Sequence, residues 1–282
     1  MRRIFAGKIT KLISEMSIEV NYLVDKQVIK SLKSAKQMEK SQIAKKVLTY
    51  MLQNARTAFE KKIPLCQDTG ISIIFMEIGQ DVHITGDELN HAVNKGIREG
   101  YKKGYLRKSI VRNPLPSCRK NTGDNTPALL YTEIVPGDKI RIKLAAKGAG
   151  SENMSAIQMF KPTANWEDIE KFIIDTIKKA GANPCPPIIV GVGIGGSFEK
   201  CAILAKKAGL RNLGERNKDK KIALLEKNLL KKINELNIGI LGFGGKTTCL
   251  SVNIETYPCH IASMPVAVNL NCYIYRHTER EI

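Results

Sequence analysis

Three cysteines in this 282-residue chain have the type and setting for metal chemistry: Cys66, Cys185 and Cys272. Each sits in a stretch written for a tight turn or a strand end. Cys66 lies in Pro64-Leu65-Cys66-Gln67-Asp68-Thr69-Gly70, Cys185 in Asn183-Pro184-Cys185-Pro186-Pro187, and Cys272 ends the run that begins at Pro265. They are far apart in sequence, and the chain has no Cys-x-x-Cys pair, so the spacing is not that of a zinc finger. Three isolated thiolates folded together could hold an iron–sulfur cluster with one iron left without a protein ligand. Such an iron is a Lewis acid.

The elements that must position these residues alternate along the chain. Residues 1 to about 62 read as helical, with Ile43, Ala44, Val47, Leu48, Met51, Leu52 and Ala55 at helical spacing. The apolar run at 71–78 predicts a buried strand, and a helix is expected from Thr85 or Asp87 toward Gly104. Residues 110–127 read as loop. Strands are expected near 128–135 and 139–146, with Pro136-Gly137-Asp138 turning between them. Asn165 and Gly181 frame a helix from Trp166 to Ala180. The second half predicts a strand at 188–192, helices at 197–208 and 220–236, and strands near 238–242, 249–255 and 266–275. The expected class is mixed α/β (α+β): a helical N-terminal segment, then sheets with flanking helices, with room for two lobes meeting near residue 185.

Lys and Arg number 45 against 27 Asp and Glu, a formal net charge of +18. Nucleic-acid binding is one reading of that charge, and a solvated surface or a small anionic substrate is another. The lysines are spread along helices, aromatics make up only 6% of residues, and no aromatic-plus-basic sheet motif occurs. These features argue against nucleic acid. Neither a secretory leader nor a membrane-length apolar run is present, so reduced thiols and a cytoplasmic setting are expected.

Two glycine-rich stretches test a nucleotide reading. Gly191-Val192-Gly193-Ile194-Gly195-Gly196 satisfies G-x-G-x-x-G between a strand and a helix, the context of a dinucleotide site. Its acidic partner would be Glu215, in a charged loop. The competing reading is a close strand-to-helix turn. Gly242-Phe243-Gly244-Gly245-Lys246-Thr247-Thr248 ends like a phosphate-binding loop, but Ile240 stands where the first glycine is required. Asp68 suits acid–base work and equally suits an Asx turn. Arg107 could grip a carboxylate or simply be solvated. His260 stands out among the four histidines because it lies twelve residues before Cys272. The loop Lys147-Gly148-Ala149-Gly150-Ser151-Glu152-Asn153 is small enough for close backbone approach to a ligand.

Taken in order, these segments resemble the iron–sulfur hydro-lyase family of class I fumarate hydratases and L(+)-tartrate dehydratases, and within it the α subunit of the two-subunit forms. The segments that carry the resemblance are residues 64–70, Asn121-Thr122-Gly123-Asp124-Asn125-Thr126-Pro127-Ala128, residues 147–153, Cys185-Pro186-Pro187 with Gly195-Gly196, residues 242–246, and His260 through Cys272. The resemblance implies that Cys66, Cys185 and Cys272 ligate a [4Fe–4S] cluster. It implies substrate contacts from Gln67, Arg107 and Gly150, and catalytic roles for Asp68 and His260. Cys118, Cys201, Cys249 and Cys259 are not implied as ligands. It further implies one α-subunit domain over 1–282, a separate β subunit that completes the active site in a larger oligomer, and no membrane or nucleic-acid partner. The first expectation for the reaction is reversible hydration of fumarate to malate, a tricarboxylic acid cycle step. Dehydration of tartrate to oxaloacetate is the alternative, and a nicotinamide-dependent oxidoreductase a distant one.

Overall fold

The sequence periodicities become alternating helices and strands in the computed structural model, which describes residues 1–282. The first half comprises β1 (Arg2–Phe5), α1 (Ala6–Tyr22), α2 (Lys26–Met38), α3 (Gln42–Lys61), β2 (Ile71–Gly79), β3 (Val82–Thr85), α4 (Leu89–Lys103), β4 (Leu129–Val135) and β5 (Ile140–Lys147). There follow α5 (Ala149–Glu152), β6 (Ala156–Phe160), α6 (Trp166–Ala180), β7 (Ile188–Gly195), α7 (Phe198–Ala208), α8 (Lys220–Asn234), β8 (Cys249–Tyr257), β9 (Met264–Asn271) and β10 (His277–Glu281). The class is mixed α/β, as expected. The chain forms two compact units. One comprises residues 1–24, 54–149 and 276–282, the other residues 25–53 and 150–275.

The first unit is built on a four-stranded sheet in the order β10-β5-β2-β4. The turn at 136–138 joins β4 to β5 as predicted, but the two do not pair. Instead β2 lies between them, parallel to β4 and antiparallel to β5. β2 is the most apolar strand of this unit, and a central place pairs both of its edges and covers its side chains. Helices α1 and α4 pack together and cover one face, where Ile9, Ile13, Met16, Val93, Ile97 and Tyr101 meet Ile74, Met76, Ile142 and Leu144. The chain opens with a strand ahead of the expected helical stretch, because residues 2–5 pair in parallel with β3.

The second unit contains a sheet in the order β6-β9-β7-β8. Strand β7 is parallel to β8 and antiparallel to β9. On one face Ile169, Ile173 and Ile177 of α6 and Leu229 and Ile233 of α8 pack on Val190, Val192, Val252, Ile254 and Val268. On the other face α7 brings Cys201 and Ala205 against Ala267. Helix α6 starts at a capping box formed by Asn165 and Asp168 and stops at Gly181. The strand expected near 238–242 is a 3₁₀ turn at Ile240–Gly242, since Gly239, Leu241 and Gly242 all take positive φ. The strand expected to reach 275 ends at Asn271, and a turn carries Cys272. No helix is long and apolar enough to cross a membrane.

Candidate active site

In the first unit the chain enters the Cys66 loop through a pinned residue. Leu65 is buried; its N–H donates to the Asn21 carbonyl at 2.8 Å and its own carbonyl accepts from Asn54 Nδ2 at 2.9 Å. Asp68 then does two things at once. Its Oδ1 accepts from the Gly70 N–H at 2.9 Å, the Asx turn foreseen from sequence, and its Oδ2 accepts from the Ala149 N–H at 2.8 Å. The Asp68 carbonyl accepts from Arg276 Nη1 at 2.5 Å.

The end of the loop is tied down as firmly. Thr69 Oγ1 donates to the Arg107 carbonyl at 2.6 Å. Tyr101 donates its hydroxyl to the carbonyls of Thr69 and Gly70, at 2.8 and 3.0 Å, and burial pushes its pKa up, which keeps it a neutral donor. Asn125 Nδ2 reaches the Gly70 carbonyl at 3.1 Å, while its Oδ1 accepts from the Ser109 N–H at 2.7 Å. The backbone is thereby fixed, whereas Cys66 and Asp68 stay half-buried and Gln67 and Arg107 exposed. Cys66, Gln67, Asp68 and Arg107 thus share one anchored segment, with Thr69 joining the two stretches.

In the second unit Cys185 is exposed in a turn closed by its own N–H to the Ala182 carbonyl at 3.0 Å. Its φ is +56°, a left-handed conformation that a cysteine adopts only when its surroundings enforce it. Part of that enforcement comes from the second glycine-rich stretch. Leu241 donates its N–H to the Pro186 carbonyl at 2.8 Å. The same stretch is held by Glu39, whose Oε2 accepts from the Lys246 N–H at 2.8 Å while Oε1 accepts from the Lys40 and Ser41 N–H groups. A Cβ on Gly245 would lie 2.5 Å from that carboxylate. Burial pushes the Glu39 pKa up, but these backbone donors and the Lys246 charge outweigh it and hold the carboxyl below its ordinary range. A protein carboxylate therefore takes the amide that a phosphate would need.

Cys272 is half-buried in the turn after β9, where the Tyr275 N–H donates to its carbonyl at 3.2 Å. The Tyr273 N–H donates to the Cys185 carbonyl at 3.4 Å, so the two thiol-bearing turns are neighbours. Tyr275, buried and at φ +52°, donates its hydroxyl to the Arg211 carbonyl. Arg211 is itself held by Glu226 at 2.6 Å, by Glu255 and by the Ile254 carbonyl. Gly150 is exposed in the single helical turn α5, not in an open loop. Glu152 of that turn bonds Lys206 and accepts from Asn269 Nδ2 at 3.0 Å, which ties the turn to β9 just before Cys272. His260 lies in the exposed connection from β8 to β9. Its Nδ1 accepts from the Ala262 N–H at 3.1 Å, which leaves Nε2 as the protonated nitrogen of the neutral ring.

The fingerprint glycines have a packing explanation. A Cβ on Gly191 would lie 2.1 Å from the Ala205 carbonyl oxygen, and one on Gly193 would lie 2.1 Å from that of Cys201. Helix α7 therefore crosses β7 at backbone contact. The Gly196 N–H is occupied by the Pro258 carbonyl at 3.2 Å. These observations correct the nicotinamide reading: the glycines make room for a helix, and this amide already has a protein acceptor.

No three His, Cys, Asp or Glu side chains converge on one metal-sized point. Donor chemistry nevertheless separates the seven free cysteines. Burial pushes the Cys201 thiol up, and it pushes the Cys249 thiol up to about 12, so neither forms a thiolate readily. The Cys259 thiol donates to the Ser263 carbonyl at 3.2 Å. Cys66, Cys185 and Cys272 are accessible and turn-borne, as a cluster's thiolate donors must be; Cys118, exposed in the 3₁₀ turn Pro116–Cys118, shares that accessibility. Sequence reasoning missed Asn21, Tyr101, Arg211, Tyr275 and Arg276, which hold the site loops, and it quoted Asn125 only as part of the 121–128 segment, without a role. For most of them no local signal exists. Tyr275 and Arg276 could have been suspected, since they lie three and four residues after Cys272.

Known proteins give an independent line of evidence. Residues 10–281 match the family described as Fumarate hydratase (Fumerase). A protein of Methanocaldococcus jannaschii named "Putative L(+)-tartrate dehydratase subunit alpha" is 42% identical over 282 residues, covering 98% of both chains. The L(+)-tartrate dehydratase subunits alpha of Escherichia coli strain K12 and of Shigella sonnei are each 30% identical over 271 residues, covering 96% of this chain and 89% of theirs. The chain belongs to the fumarate hydratase (Fumerase) family, and it is a hydro-lyase.

Proposed function

We propose that this chain is the α subunit of an iron–sulfur hydro-lyase that dehydrates L(+)-tartrate to oxaloacetate. The observation that carries the reading is the 42% identity to a relative named for tartrate, over 98% of both chains. The sequence alone put fumarate first, and the names of the relatives favour tartrate. By the same names, a separate β subunit completes the enzyme, and the 282 residues act as one functional half. The seven free cysteines support a cytoplasmic setting.

In this reading Cys66, Cys185 and Cys272 hold a [4Fe–4S] cluster. When bound, the cluster supplies an open iron that polarises the hydroxyl to be expelled. Asp68, with both carboxylate oxygens engaged by backbone amides, presents a fixed acid–base group for the proton that leaves with that hydroxyl oxygen. Arg107 offers its exposed guanidinium to a substrate carboxylate, and the Nε2–H of His260 offers a second donor. Gln67 adds an amide, and Gly150 leaves room for close approach. The β subunit supplies the base that takes the carbon-bound proton. One C–O and one C–H bond break, and the resulting enol becomes the 2-oxo acid. The excess of 18 positive charges favours the arrival of a dianion.

The test is turnover by the assembled, anaerobically reconstituted complex. Dehydration of L(+)-tartrate at a kcat/KM well above that for malate is expected. A preference for malate would return the chain to the fumarate reading.

A further inference from the structure

We propose that Arg276 is a positioning residue for the hydro-lyase reaction: it fixes the Asp68 peptide so that the Asp68 carboxylate keeps one orientation. The inference rests on the reading of Asp68 as the acid–base group.

Arg276 is only 6% exposed, which is unusual for a cation, and its contacts lead to the site loop. Nη1 donates to the Asp68 carbonyl at 2.5 Å and to Asn21 Oδ1 at 3.0 Å. Asn21 is itself buried and oriented, since its Nδ2 donates to the Ser17 carbonyl at 3.0 Å. That leaves Oδ1 as the acceptor facing Arg276. The Asn21 backbone carbonyl meanwhile takes the Leu65 N–H at 2.8 Å. One residue of α1 thus holds the loop ahead of Cys66 directly and, through Arg276, holds it again at Asp68.

The platform beneath is rigid. The Arg276 carbonyl accepts from the Ala146 N–H at 3.0 Å, and β10 then continues the sheet along β5. Gly148 supplies the space that both charged groups need. A Cβ built there would lie 3.1 Å from Asp68 Oδ2 and 3.2 Å from Arg276 Nη2. The Ala149 amide thus holds the Asp68 carboxylate while Arg276 holds the Asp68 peptide, and both side chains close on the space that Gly148 leaves open. Nη1 serves both oxygens through its two N–H bonds, whose directions the guanidinium plane fixes; a lysine ammonium rotates freely about its stem and has no second nitrogen to fill the place of Nη2 beside Gly148.

The experiment uses the assembled, anaerobically reconstituted enzyme with R276K, R276A and D68N. For both Arg276 variants we expect iron and sulfide content equal to the parent enzyme. We expect kcat to fall by roughly 100-fold, the scale of a displacement of about 1 Å at a catalytic group, with KM within about threefold. Added guanidinium ion should restore turnover in R276A and not in D68N, a rescue that a purely structural role does not produce. Parental kcat in R276K and R276A beside an inactive D68N overturns the inference and leaves Asp68 in place. Loss of iron and sulfide in R276K also overturns it, by assigning the residue to cluster retention. Full activity in D68N removes Asp68 from the chemistry and the inference with it. Should R276A fail to fold, R276K carries the kinetic comparison.

Discussion

The Tyr273 N–H donates to the Cys185 carbonyl at 3.4 Å, which places the residue after Cys272 against the turn that carries Cys185. Two thiols 87 positions apart are thereby brought into adjoining turns by backbone contacts, not by any local cysteine motif. If both serve one cluster, either substitution should have the same effect. C185S and C272S should each lose most of the iron and sulfide, about four of each in the parent, whereas C259S should keep them. Anaerobic iron and sulfide analysis checks this, and a C185S chain that still carries the parental iron would end the assignment.

The G-x-G at 191–193 makes a different prediction, because its glycines accommodate α7. In Gly193→Ala the new methyl would meet the Cys201 carbonyl and the Leu204 side chain, and backbone must move to relieve it. Overpacking of this kind costs about 1–3 kcal/mol or more. A lowered midpoint in urea is expected, with no NADH binding in either the parent or the variant. Saturable NADH binding by the parent chain would reopen the dinucleotide reading.

Much of this architecture could be read locally. Asn165 and Gly181 gave both ends of α6, Gly104 the end of α4, and the apolar run at 71–78 the central strand β2. What could not be read is pairing at a distance. Nothing in residues 129–147 says that β2 lies between β4 and β5, and β10, with the sequence His-Thr-Glu-Arg-Glu, carries no apolar signal at all. The site follows the same division. Turn chemistry marks the Cys66 and Cys185 loops, whereas Cys272 fell inside an expected strand that in fact ends at Asn271, and the Asx turn at Asp68 was one of the two readings its own loop offered. Asn21 looks like any polar residue of a helix, and only the fold reveals that it serves Leu65 and Arg276 together.

Asp124 gives a prediction with a pH sign. Burial raises its pKa, but Arg98 at 2.9 Å and the Thr126 hydroxyl and N–H outweigh that, and the carboxyl falls from 3.8 to about 2. A folded-state pKa below the unfolded one gives stability that is present above about pH 4 and lost as pH falls toward 2. Arg98 is about half exposed, so solvent screening trims the effect to about 1 kcal/mol. D124N should therefore be less stable at neutral pH by about that amount, and the deficit should shrink as denaturation is repeated from pH 5 toward pH 3. A deficit that does not change with pH would mean that packing, not ionisation, accounts for it.

Thiol reactivity should sort the cysteines by environment. Cys249 is 2% exposed, its pKa is pushed up to about 12 by burial, and its thiol donates to the Ser251 carbonyl at 3.1 Å. At pH 8 its thiolate population is therefore very small, and the reagent must wait for the chain to open. Cys201, fully buried where α7 meets Ala267 of β9 and also raised by burial, should behave likewise. Cys118, Cys185 and Cys259 are exposed and should react first in the cluster-free chain, with Cys66 and Cys272 following at intermediate rates. Reconstitution with iron and sulfide should then protect Cys66, Cys185 and Cys272 while leaving Cys118 reactive. Time-resolved alkylation read by peptide mass spectrometry, with and without reconstitution, measures both patterns. Protection at Cys259 in place of Cys185 would reassign the ligand and move the site toward the His260 loop.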